Sequence, residues 1–230
     1  MTTNNRNTHP MATAPSHRGK GGMRHPIELL APAKNLECGI EAIRHGADAV
    51  YIGAPKFGAR AAAGNSIDDL RQLADYAHQF GARVYVTLNT LIKDGELAGV
   101  LDVLRLLNEV KVDAVLVQDL GVMHLARTCF PDLPVHASTQ MALHNASGAA
   151  FCKKHGLTRI VLARECSLSE IRKAADVGIE VEVFGHGAQC VAVSGQCLFS
   201  SMIGGRSGNR GECAQPCRLP YKAKNPYALS

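Results

Sequence analysis

Seven short runs rich in Val and Ile recur along the chain, each separated by a segment of helical period. The runs are Ile27–Leu30, Ala49–Ile52, Arg83–Leu88, Ala114–Val117, Val135–Ser138, Arg159–Leu162 and Val181–Phe184. Runs this short and apolar fit strands buried on both faces, as in a parallel sheet. Between them Leu36, Ile40 and Ile43 share one helical face, as do Leu70, Leu73, Ala74 and Ala77. Ser66 with Asp69, and Ser167 with Glu170, read as helix N-caps with a carboxylate three residues on. A weak repeat marks the helix-to-strand turns: His45-Gly-Ala-Asp-Ala-Val50, Phe80-Gly-Ala-Arg-Val-Tyr85, His155-Gly-Leu-Thr-Arg-Ile160 and Val177-Gly-Ile-Glu-Val-Glu182. Glycine suits a left-handed helix C-terminus. The alternation predicts an α/β fold, a (β/α) TIM-like barrel rather than an open doubly wound sheet. The glycine fingerprint of dinucleotide-binding sheets is missing after the first run, where Ala31-Pro-Ala-Lys-Asn35 stands. A full barrel has eight strands, so about seven predicts one incomplete at its C-terminus.

Charge is uneven. The chain carries 25 Lys and Arg against 20 Asp and Glu, for a formal charge of +5. Residues 25–203 hold 16 basic and 19 acidic residues, so the excess lies at the two ends. Residues 1–25 are polar and basic, contain Pro and Gly, and are expected to form a disordered tail before a barrel domain over 26–230. The tail has no apolar core of a secretory signal, and no stretch approaches the length of a membrane span, so a cytoplasmic, reducing setting is expected. Basic ends suit phosphate contact or simple solvation.

Eight cysteines in such a setting favour metal or redox work over a disulfide framework. Cys38, Cys129, Cys152 and Cys166 are isolated and are expected as small buried residues. Cys190, Cys197, Cys213 and Cys217 form a C-x6-C-x15-C-x3-C pattern in a glycine-rich segment after the seventh run. Zinc usually shows a tight C-x2-C pair, which is missing here, while a [4Fe–4S] cluster tolerates wider spacing. Pro220 stands where a radical-SAM triplet would need its third Cys. From spacing alone a cluster, zinc and free thiols all stay open.

Long motifs then agree in order with one family. Glu182-Val-Phe-Gly-His-Gly-Ala-Gln-Cys190, Ser194-Gly-Gln-Cys197, Gly204-Gly-Arg-Ser-Gly-Asn-Arg-Gly211 and Cys213-Ala-Gln-Pro-Cys217-Arg-Leu-Pro-Tyr221 resemble the signature of the U32 peptidase family. Glu28-Leu-Leu-Ala-Pro-Ala33, Gly46-Ala-Asp-Ala-Val-Tyr-Ile-Gly53 and His136-Ala-Ser-Thr-Gln140 match its earlier motifs. Phe57-Gly-Ala-Arg60 and Val117-Gln-Asp119 look most like the branch that hydroxylates C5 of a 23S ribosomal RNA cytidine. A sister branch hydroxylates the wobble uridine of transfer RNA. The resemblance implies a [4Fe–4S] cluster on the four clustered Cys, prephenate as co-substrate and RNA as partner. Gln189, Gly185 and Val193 depart from the family's usual apolar or aromatic residues beside the first cluster Cys. Family members continue with a further helix and strand beyond Ser230, so truncation is expected.

In a barrel the chemistry sits at the C-terminal strand ends. The candidates there are His136, His186, Gln140 and Asp119 as catalytic groups, with the two histidines expected to pair as proton movers near neutrality. Arg60, Asn89, Arg164, Arg206 and Arg210 are candidate substrate or anion ligands, since a guanidinium fork matches carboxylate or phosphate. Peptidase chemistry finds no H-E-x-x-H and no G-x-S-x-G. It stays as the alternative enzyme, and a binding-only member as the alternative without catalysis.

Overall fold

A computed structural model describes residues 27–59, 65–187 and 190–221. The expected tail over 1–25, Arg60, Gln189 and the end of the chain after Tyr221 lie outside the described residues. Seven parallel strands lie in sequence order in one sheet: β1 (Leu30–Ala33), β2 (Ala49–Gly53), β3 (Arg83–Leu88), β4 (Ala114–Val117), β5 (Val135–Ala137), β6 (Arg159–Val161) and β7 (Glu180–Glu182). The helices between them are α1 (Leu36–Arg44), α2 (Ile67–Gln79), α3 (Leu97–Val110), α4 (Leu120–Cys129), α5 (Ala146–Lys154) and α6 (Leu168–Ala175). The sheet curls into a half-barrel of TIM-barrel type. Among the described residues β1 and β7 do not pair with each other.

Strand parity explains the burial on two faces. Val50, Ile52, Val84, Val86, Val115 and Val117 point outward into the main core, against Leu70, Leu73, Leu104 and Leu107 of the helices. Ala49, Tyr85, Ala114, Leu116 and Val161 point inward, with Leu30 and Tyr51 packed on them. Leu70, Leu73, Leu104 and Leu107 are completely buried, and each contributes roughly 1.5–3 kcal/mol by leaving water.

The local signals hold where backbone chemistry is local. Ser66 and Ser167 both close capping boxes, the first through Asp69 N to Ser66 Oγ (3.1 Å) and Ser66 N to Asp69 Oδ2 (2.8 Å). The four repeat glycines, Gly46, Gly81, Gly156 and Gly178, all have positive φ. The equivalent turn into β4 uses Lys111 at φ 62°, so the repeat continues without a glycine to mark it.

The second, fifth and sixth strands end within one residue of expectation, and two others shift further. The first strand is Leu30–Ala33 rather than Ile27–Leu30, because pairing begins at Leu30 opposite Ala49 and leaves Ile27 almost fully exposed. The seventh is Glu180–Glu182 rather than Val181–Phe184, because its partner β6 ends at Val161 opposite Glu182. The isolated cysteines also divide. Cys152 is buried as expected, Cys166 is half-buried, but Cys38 and Cys129 are exposed on the outer sides of their helices.

Candidate functional site

The C-terminal strand ends carry a buried polar ring. Asn89, Thr90, Gln118, Ser138 and Thr139 follow β3, β4 and β5 and are all buried. Ala59 N donates to Asn89 Oδ1 (2.8 Å), and Asn89 Nδ2 donates to Ser138 Oγ (3.0 Å). Ser138 Oγ also accepts from Gln140 N (3.3 Å). Asn89, expected as a substrate ligand, thus bridges the turns after β2 and β5. Gln118 Oε1 is buried with no hydrogen-bond partner, an unspent acceptor within the ring. Asp119 is not free for catalysis. Its Oδ1 accepts from Gly121 N (2.8 Å) and Val122 N (3.1 Å) as the N-cap of α4, and its Oδ2 accepts from Ile92 N (3.2 Å). A carboxylate serving three backbone amides is a scaffold group.

The cysteine segment, residues 190–221, is anchored across this mouth by four of the loops that follow strands. Ser194 N donates to Glu165 Oε1 after β6 (2.6 Å). Gly195, at φ +79°, presses against Gln140 after β5, where a Cβ would lie 2.7 Å from the Gln140 carbonyl oxygen. Gly211, at φ +83°, does the same against Gly58 after β2, at 2.7 Å from its carbonyl oxygen. Leu91 N donates to Asn209 O (3.1 Å) after β3. Arg210 completes the last anchor, donating through Nη2 to Glu96 Oε1 (2.7 Å) and through Nη1 to Glu96 Oε2 (3.0 Å) and Leu91 O (2.8 Å). The Arg210 fork holds the Glu96 carboxyl down to about 2. Arg210, expected as an anion ligand, is therefore already occupied by an internal anion. Gln140, expected as catalytic, supplies its backbone as the seat of Gly195, and its side chain is half-buried at the rim.

Within this lid a short helix, α7 (Phe199–Gly204), is flanked by the four cysteines. All four are free thiols, Cys197 half-buried and Cys190, Cys213 and Cys217 exposed. Gly208 separates two of them: a Cβ there would lie 3.6 Å from Cys213 Cβ and 3.7 Å from Cys197 O. Cys213 Sγ accepts from Gln215 N (3.4 Å). Such a set suits a thiophilic metal or cluster by donor chemistry. Among the described residues, however, no group of three or more His, Cys, Asp or Glu side chains converges as a metal site.

The two candidate histidines are not a pair. His136 points into the barrel from β5, edge-on to Tyr85 at 4.9 Å, and is 4% exposed. Burial first, then the positive Arg159, push its pKa down to about 3, and its Nδ1 has no partner. It is neutral across the physiological range, against the expectation of a proton mover. His186 lies on the exposed turn after β7, in a different setting. There it lines a pocket of about 300 Å³ with Arg164, Phe184, Cys166 and Ile171. Arg164 stacks over the Phe184 ring at 4.0 Å, and its Nε is buried without an acceptor. Arg206 is exposed and forms no ion pair among the described residues.

One functional-looking group escaped the sequence reading. At the N-terminal rim of the barrel Arg159 Nη1 donates to Glu28 Oε1 (2.6 Å), and its Nε and Nη2 donate to Glu180 Oε2 (3.0 and 2.9 Å). Arg83 Nη1 and Tyr85 Oη donate to Glu28 Oε2 at 3.0 and 2.9 Å. Burial works against charge on Glu28, but the Arg159 and Tyr85 hydrogen bonds outweigh it and lower its pKa. Glu182 lies 3.6 Å from Arg159, and burial pushes it up to about 7, with Oε2 unbonded. Charged residues at alternate positions of otherwise apolar strands were the available signal. Their position opposite the mouth marks them as barrel stabilisers.

A parallel half-barrel whose C-terminal mouth is strapped by a four-cysteine lid defines the class of protein. Residues 34–228 match the sequence profile described as Peptidase family U32, and the chain belongs to that family. It is 48% identical over 204 residues to the 23S rRNA 5-hydroxycytidine C2501 synthase of Escherichia coli K12, covering 87% of this chain and 30% of that protein. It is 41% identical over 205 residues to tRNA hydroxylation protein P1 of Bacillus subtilis 168, covering 88% of this chain and 49% of that protein. The chain thus spans from under a third to about half of these relatives. Among solved structures the U32 peptidase Mk0906 superposes with a TM-score of 0.56 at 17% identity, over 73% of this chain and 71% of that one, a likeness of fold. No described helix is long and apolar enough to cross a membrane.

Proposed function

We propose that this chain is the catalytic barrel of an RNA nucleobase hydroxylase, acting at C5 of a pyrimidine. A ribosomal RNA cytidine is the first choice of substrate and a transfer RNA wobble uridine the second. The observation that carries this is the lid: four thiols on a segment anchored to four of the barrel's mouth loops. Two named relatives support RNA hydroxylation. Cys190, Cys197, Cys213 and Cys217 would hold a [4Fe–4S] cluster, which when bound supplies one-electron redox chemistry at the mouth.

The chain's own groups divide the remaining tasks. The buried ring of Asn89, Gln118 and Ser138 offers amide and hydroxyl groups to the edge of a base turned out of its stack. Gln118 Oε1, the acceptor without a partner, is the group free to accept a hydrogen bond from the base. Arg164 lines the ~300 Å³ pocket beside His186, and is the arginine of choice for a carboxylate of prephenate as co-substrate. An RNA substrate is met in the cytoplasm.

A peptidase reading would need a nucleophile beside a base. The histidine ring bonds among the described residues run to Glu41 O, Asp113 and Ala142 O, not to a serine or cysteine.

Anaerobic purification followed by iron, sulfide and zinc analysis tests the proposal together with nucleoside mass spectrometry of RNA from a deletion strain. Iron and sulfide near four per chain, and loss of one hydroxylated pyrimidine, are expected. A colourless protein with stoichiometric zinc and unchanged RNA would overturn it.

A further inference from the structure

The outer face of the lid carries an aromatic pair that the barrel chemistry does not use. Phe199 opens α7, and Tyr221 lies four residues after Cys217. Their ring centroids are 6.4 Å apart with planes 32° from parallel. Tyr221 is 62% exposed and Phe199 37%. The Tyr221 phenol nevertheless spends its polar atom internally, donating to Pro216 O at 2.9 Å. Pro216 is itself buried, and Ala214 N donates to the buried Ser200 Oγ at 3.0 Å, so the turn that carries the phenol's acceptor is tied to α7. The result is a pinned ring with its hydroxyl satisfied and a face toward solvent.

The charges around it are also specific. Residues 190–221 contain Arg206, Arg210 and Arg218 against Glu212 alone, whereas residues 27–187 contain 16 basic and 19 acidic residues. Arg210 is taken by Glu96. Arg206 and Arg218 are exposed, and neither forms an ion pair among the described residues. Among the described residues, the net positive charge therefore lies on the lid segment, while residues 27–187 carry a mild acidic excess.

We infer that the Phe199–Tyr221 face, flanked by Arg206 and Arg218, is a stacking platform for single-stranded RNA beside the target nucleotide. The inference rests on the RNA reading above and deepens it. A base stacks on an aromatic face without regard to its identity, and arginines beside it contact phosphates. Exposed Met202 and Ile203 on α7 extend the apolar surface for a splayed base. Because Phe199 and Tyr221 are near Cys197 and Cys217 in the chain, a strand bound there is delivered to the cysteine side of the mouth.

The test is fluorescence anisotropy with a labelled single-stranded RNA oligomer across a salt series, on the anaerobically purified protein. Tyr221→Leu should weaken binding on the order of tenfold with an unchanged salt slope, while Tyr221→Phe stays within about threefold. Arg218→Gln should reduce the salt slope by about 0.7. Thermal melting checks each fold. If Tyr221→Leu does not fold, the exposed Arg206→Gln, Arg218→Gln double variant decides, with an expected slope change of about twice that size. RNA binding that is unaltered in affinity and slope by these changes overturns the platform and leaves the RNA reading standing. Wild-type protein that binds no RNA overturns both. Sedimentation showing self-association that Tyr221→Leu abolishes would assign the face to a second copy of the chain and overturn the inference.

Discussion

Gly195 rests on the backbone of Gln140 so closely that the smallest side chain would place its Cβ 2.7 Å from the Gln140 carbonyl oxygen. This contact joins the cysteine lid to the turn after β5, and Gly211 repeats it on Gly58 after β2. Both glycines have positive φ, so an alanine meets strain in backbone and in space.

Gly195→Ala and Gly211→Ala should each loosen the lid by about 1–3 kcal/mol while leaving the barrel folded. Limited proteolysis is expected to cut within residues 190–221 faster in the variants, with an unchanged far-ultraviolet spectrum. Equal cleavage rates would show that the glycines do not seat the lid.

The Arg210–Glu96 fork makes the lid acid-sensitive. Glu96 titrates near 2 in the folded chain against 4.5 for an ordinary glutamate, so its contribution is complete above about pH 5. It declines as pH falls from there through 2. The protection factors of the Leu91 and Arg210 amides should fall over that window, and Arg210→Gln should lower them at neutral pH as well. A pH-independent lid would remove the fork as its anchor.

Glu182 has the opposite sign. Its folded pKa of about 7 lies above the ordinary 4.5, so the folded state binds more protons between these values. Its contribution is present below 4.5 and is lost as pH rises through 7. Glu182→Gln should flatten that part of the stability curve and raise stability at pH 8 by roughly 1–3 kcal/mol. Thermal melts at pH 5 and pH 8 measure it, and parallel curves for the two proteins would refute it.

Arg159→Met should destabilise the chain by about 3–5 kcal/mol, because Glu28 and Glu182 would lose their shared cation inside the barrel. Arg159→Lys should recover only part of this, since an ammonium cannot reproduce the Nε and Nη2 fork to Glu180. Urea unfolding compares them, and full recovery by lysine would argue that charge alone matters.

Serine at Cys190, Cys197, Cys213 or Cys217 should abolish iron retention one residue at a time, whereas Cys38→Ser and Cys129→Ser, exposed on distant helices, should keep it. Iron content and visible absorption after anaerobic purification give the answer. Retention in all four lid variants would exclude the lid as ligand set.

Hydrophobic spacing located the seven strands and six connecting helices, and the Ser-to-carboxylate spacing both capping boxes, because each signal rests on neighbours within a few residues; the ends of the first and seventh strands waited on pairing. The cysteine pattern and the long glycine motifs likewise carried the family. Tertiary structure decided what those residues do. Arg210 looked like an anion ligand, yet its partner Glu96 is 114 residues away. His136 looked like a proton mover until burial in the barrel, and then Arg159, made it neutral. Arg159 itself drew no notice, since Glu28 is 131 residues distant. Local periodicity reports which residues leave water. Which charges meet once they have left it depends on strand order and register, and these exist only when the sheet has curled.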